Sequence, residues 1–69
     1  MRAIMLTPKQ VKHIRATMEI TQEEMARRCR VTRRAVVKWE AAGVEGLGES
    51  VLRLEYLLFQ IREATALIV

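Results

Sequence analysis

Apolar side chains recur at helical spacing in four stretches of this chain, and a threonine stands ahead of each of the first three. In the first stretch Val11, Ile14, Ala16 and Met18 make the stripe that faces inward. Thr7 is placed to cap it, Pro8 suits a first helical position where its missing N–H costs nothing, and Gln10 completes a capping box. This helix is predicted to run to about Met18, with Ile20 in the connection that follows. The second helix opens the same way, with Thr21 and Glu24 as its capping box. Met25, Ala26 and Cys29 form its apolar face and leave Arg27 and Arg28 off it, over about two turns. The third begins after Thr32, turns Val36 and Trp39 inward, and carries Arg33, Arg34, Val37 and Lys38 elsewhere. Gly43 is suited to end it in a left-handed conformation.

Residues 43–48, with three glycines, read as a flexible connection too short to divide domains. From Glu49 or Ser50 onward Val51, Leu54, Leu58, Ile61 and Ile68 repeat at spacings of three and four, with Thr65 filling the gap. A second stripe of Leu52, Tyr56, Phe59 and Ala66 lies to one side. Two apolar stripes exceed the needs of one small core, so one is expected on the first three helices and the other against a partner. The expected partner is a second copy, with Leu54, Leu58, Phe59, Ile61, Leu67 and Ile68 as the dimer contacts. β-alternation is absent apart from a short extended arm at residues 2–5. The expectation is an all-α chain forming a single domain over residues 1–69. It comprises an N-terminal arm at 1–6, three helices over 7–43 and a C-terminal helix or helices over 49–69.

Composition narrows the function. A chain of 69 residues buries a modest core and often needs further support. Cys29 is the only cysteine and His13 the only histidine, so neither a disulfide nor a metal site can be assembled, and no cofactor is expected. Oligomerisation remains as the support. No apolar run approaches a membrane span and no signal peptide is visible, so a cytoplasmic, nucleoid-associated protein without membrane contact is expected. The net charge of +4 is unevenly spread, because Arg27, Arg28, Arg30, Arg33, Arg34 and Lys38 fall between positions 27 and 38. Such a cluster is the electrostatic footprint of a phosphate-backbone binder, though a solvated charged face would look the same on composition alone.

Thr21-Gln22, Met25-Ala26, Arg30-Val31-Thr32, Val36 and Trp39-Glu40 occur in one ungapped run. That run resembles the lambda-repressor/Cro type of helix-turn-helix, the xenobiotic-response-element family. The family's recurring string is Ser/Thr-Gln, Leu-Ala, Gly-Val-Ser, Val and Trp-Glu, and the likeness covers residues 7–43. The resemblance implies a compact four- to five-helix, lambda-repressor-like DNA-binding domain with its helix-turn-helix at residues 21–42. It also implies that Gln22 contacts the DNA backbone and that Arg15 pairs with Glu40. The chain departs from the family at Arg30, where Gly is usual in a left-handed turn, and in lacking a proline after the third helix.

The residues support the same chemistry independently. A recognition helix presents long donors on its outer face to base edges in the major groove. Arg33, Arg34 and Lys38 are such donors, and Val37 can meet a thymine methyl. Gln22 begins the second helix, where free N–H groups and the dipole favour phosphate. Thr21, Thr32, Arg30 and Arg28 complete the expected backbone contacts. Cys29 on an apolar helix face behaves as a small hydrophobe, and Glu23 and Glu24 complement a helix dipole. No catalytic constellation emerges, so an enzyme is not expected. The function expected is a sequence-specific, homodimeric transcriptional repressor on a palindromic operator of double-stranded DNA. The alternative is an antitoxin-like interaction module whose C-terminal helix, residues 57–69, holds a partner protein.

Overall fold

Three threonine hydroxyls start three helices. The computed structural model describes the backbone of residues 4–46 and 48–68, and the side-chain surroundings of those up to residue 63. Helix α1 spans Pro8–Met18, α2 Gln22–Cys29 and α3 Arg33–Ala42. The Oγ1 of Thr7, Thr21 and Thr32 accepts a hydrogen bond from the backbone N–H three residues on, at 3.2, 3.1 and 3.3 Å. Each bond satisfies a donor that the first turn of a helix leaves free. At Thr7 the box is reciprocal, since the Thr7 N–H donates to Gln10 Oε1 at 2.8 Å. At Thr21 only half of the expected box forms, because the Glu24 carboxylate turns instead to Arg27 and Arg28.

Left-handed residues end the first two helices. Glu19 (φ 55°) and Arg30 (φ 59°) both adopt this conformation although neither is glycine. Their N–H groups bond back to carbonyls of the last turn, which helix ends otherwise leave unsatisfied.

Helix α4 is continuous over Glu49–Ile68. With α1–α3 it makes four helices among the described residues, so the chain is predominantly helical. One correction concerns the termini of the helical layer. The N-terminal arm, expected to be extended over residues 2–5, and the glycine-rich connection, expected to be flexible, form a two-stranded antiparallel ribbon of β1 (Ile4–Leu6) and β2 (Val44–Gly46). Its register pairs Ile4 with Gly46, Met5 with Glu45 and Leu6 with Val44. Three residues are too few to show alternation, and the partners lie far apart in sequence, so no local signal marks β2 or its pairing with β1. Gly43 makes the approach to β2. It sits at φ 84°, and a Cβ there would lie 2.8 Å from the Leu6 carbonyl oxygen.

A single core draws on every helix. Val11 and Ile14 of α1, Met25, Ala26 and Cys29 of α2, Val36 and Trp39 of α3, and Leu54, Leu57, Leu58 and Ile61 of α4 are buried, with Leu6 joining from β1. Ala16, expected in the α1 stripe, is exposed. Two residues on from Ile14 is about 200° around the helix, which turns it to the far side. Leu57 is a core residue that the two-stripe pattern omitted. Among the described residues no helix is long and apolar enough to cross a membrane.

Candidate functional site

The charges of α2 and α3 obey different logic. Helix α2 has Glu23 and Glu24 in its first turn and Arg27 and Arg28 in its last, which complements the helix dipole. Its arginines are also paired: Glu24 holds Arg27 at 2.8 Å and Arg28 at 3.1 Å. Helix α3 opens with Arg33 and Arg34 and has no acid in its first turn. Cations there oppose the dipole, so helix stability does not account for them. Arg33, Arg34 and Lys38 are exposed and make no ion pair among the described residues. With exposed Val37 they span roughly 140° of the helix surface, while Val36 and Trp39 anchor the other side in the core.

The start of α2 adjoins this face. Arg15, Thr21, Gln22, Glu23 and Arg33 line a shallow cleft of about 630 Å³, so the threonine cap and first residue of α2 share a concavity with the first residue of α3. Beneath it lies a three-member network. Arg15 Nε donates to Glu40 Oε2 at 2.6 Å and its second guanidinium nitrogen to Oε1 at 3.3 Å. Gln22 Nε2 donates to the same Oε1 at 2.9 Å. Glu40 is the one charged residue buried among the described residues. Burial pushes its carboxyl up, but the hydrogen bonds from Arg15 and Gln22, with the charges of Arg15 and Lys12, outweigh burial and hold it below the usual range. The hydrogen bond to Glu40 raises the Arg15 guanidinium in turn, against the opposing effect of desolvation.

The ion pair implied by the family resemblance is thus formed, whereas the link from Gln22 to Glu40 was not foreseen. Eighteen positions separate these two residues, and no periodic signal connects them. Thr32 and Arg30 are exposed beside the α3 start. Arg28 is exposed but committed to Glu24.

The dimer residues named from sequence divide sharply. Leu54, Leu58 and Ile61 are buried in this chain's own core, and of the three Leu58 also lines an open groove beside β1. Phe59 is exposed, and the side chains of Leu67 and Ile68 lie outside the described residues. Cys29 is buried, and desolvation pushes its thiol up to about 11 against the opposing charge of Arg53. Among the described residues no three His, Cys, Asp or Glu side chains are placed to hold a metal ion.

No protein-family model matches this chain, and neither a curated protein nor a solved structure gives a match.

Proposed function

We propose that this protein binds double-stranded DNA sequence-specifically, with residues 21–42 acting as a lambda-repressor-like helix-turn-helix, and represses transcription by occupying promoter DNA. The observation that carries the reading is the exposed set of Arg33, Arg34 and Lys38 on the outer face of α3, without an ion pair among the described residues and with both arginines opposed to the helix dipole. Arginine's fork matches guanine O6 and N7 in the major groove. Arg33 and Arg34 are the base readers, Lys38 extends the contact along the helix, and Val37 offers a methyl contact to thymine.

Backbone contacts come from the first turn of α2, where free N–H groups favour phosphate. Glu40 takes one hydrogen bond from the Gln22 amide and leaves its other N–H and its carbonyl available. Thr21, which lines the same cleft, and the exposed Thr32 and Arg30 just ahead of α3 supply further positioning. Phosphate contacts of this kind fix register, and base contacts specify sequence.

The test is binding to the DNA just upstream of the protein's own gene against scrambled DNA, over a salt series. Preference for the upstream DNA that survives at high salt supports a sequence-specific autorepressor. Equal, steeply salt-dependent binding to both would reduce α3 to backbone attraction and sink the proposal.

A further inference from the structure

The outer side of α4 carries an apolar stripe that stays exposed among the described residues. Leu52, Tyr56 and Phe59 are 51%, 59% and 54% exposed, and the Tyr56 and Phe59 rings stack with centroids 6.5 Å apart. These three residues, with Glu55, Leu58 and Arg62, form the α4 wall of a groove of about 450 Å³ whose other wall is Met5, Leu6 and Gln10. Met5, at 71%, is the most exposed large apolar residue among the described residues. The exposed apolar stripe and the groove are therefore one face, edged by Glu55 and Arg62.

The charges along that face are arranged about its centre. Glu55 and Arg62 stand two turns apart on the same edge of the stripe, within roughly 20° of each other, with Phe59 close to midway. Both are exposed, and neither makes an ion pair among the described residues. Reversing the helix direction about Phe59 exchanges the acidic and basic positions, so the pattern complements itself.

We propose that this face binds a second copy of the chain, with the two α4 helices antiparallel about a two-fold axis near Phe59. Such an isologous contact brings like edges together, so Glu55 of each copy faces Arg62 of the other. Phe59 and Tyr56 of each copy cover the groove beside Met5 of the other. A parallel pair would join the Glu55–Arg62 edge to the opposite edge, where Tyr56 and Glu63 lie, and would leave the groove and Met5 open to water. The antiparallel arrangement covers more of the exposed apolar surface, which decides between them.

The proposal does not depend on DNA and is tested without it, by sedimentation equilibrium of the full chain. The wild-type protein is expected to dimerise. Phe59→Lys should weaken the dimer at least about tenfold. Glu55→Arg and Arg62→Glu should each weaken it by about tenfold through like-charge contacts. The combined Glu55→Arg/Arg62→Glu variant should recover to within about threefold of wild type. Thermal melts confirm that each exposed-site variant folds, and added salt should weaken the wild-type dimer as an independent sign of the ion pairs.

Three results would overturn the proposal. They are a wild-type chain that stays monomeric at about 0.5 mM, no recovery in the double variant, or rescue of Arg62→Glu by Glu63→Arg, which marks a parallel pair. Dimerisation without DNA preference would remove the DNA reading alone, and specific DNA binding by a monomer would remove this one alone.

Discussion

Arg15 and Glu40 stand twenty-five positions apart, yet the guanidinium Nε lies 2.6 Å from the carboxylate, and the pair ties the end of α3 to α1. Glu40 is almost fully buried while the Arg15 side chain stays 33% exposed, so Arg15 can turn to water if its partner is lost. Glu40→Ala is therefore expected to cost about 1–3 kcal/mol, below the figure for a fully buried pair. Thermal unfolding measures this, and a change under about 0.5 kcal/mol would show the network to be dispensable.

The same carboxylate sets a pH dependence. Its folded-state pKa lies below the unfolded value of 4.5, so near that pH the folded chain binds fewer protons than the unfolded chain. The stabilisation is complete above about pH 4.5 and is lost as pH falls below it. Denaturation followed from pH 6 down to 3 should show a shallower decline for Glu40→Gln than for the wild type. Parallel curves would remove Glu40 as the source.

Arg28 and Arg33 should separate in DNA binding because only one of them is already paired. Arg33→Ala is expected to cost about 1–3 kcal/mol on the preferred site and to relax preference there. Arg28→Ala should cost less and shift all sequences equally, since Arg28 shares Glu24 with Arg27. Competition between specific and scrambled duplexes reads both effects. Equal losses on every sequence would leave α3 without a reading role.

Arg30 adopts φ 59°, a conformation that costs an ordinary residue about 1 kcal/mol more than glycine. Arg30→Gly should stabilise the fold by about 0.5–1 kcal/mol in urea denaturation. If Arg30 also meets phosphate, the salt slope of DNA binding should fall by about 1 in the same variant. Greater stability with an unchanged slope would assign Arg30 to the turn alone.

Gly43 permits the ribbon to close. An added Cβ would meet the Leu6 carbonyl at 2.8 Å with the backbone at a positive φ, so Gly43→Ala should destabilise by on the order of 1–3 kcal/mol. Thermal melts check it, and a neutral result would mean that β1 can shift without loss.

Cys29 should be inert in the folded chain. With its thiol pushed up to about 11 and its side chain buried, little thiolate exists near neutral pH. A thiol reagent at pH 8 should react only after denaturant is added. Fast labelling of the native protein would show that α2 opens readily.

Much of the fold is written locally in the chain. The threonine caps, the three- and four-residue apolar spacings and the break at residues 30–32 placed α1, α2 and α3, because capping and amphipathicity involve residues within one or two turns. The donors of α3 were legible for the same reason: once Val36 and Trp39 face inward, helical geometry sends Arg33, Arg34 and Lys38 outward. The left-handed turn at Arg30 was implied by the family resemblance, which has Gly at that position.

What the tertiary structure alone decided is which of several locally equivalent options each side chain takes. Glu24 could cap its own helix or pair with the arginines after it, and it pairs. The ribbon of β1 and β2 joins segments at opposite ends of the first three helices, a match that no local period encodes. Both stripes of α4 are apolar enough to face a core, yet only packing against α1, α2 and β1 determined that Leu54, Leu58 and Ile61 turn inward while Leu52, Tyr56 and Phe59 remain outside. Periodicity states how many faces a helix can bury; which face is buried depends on where its neighbours stand.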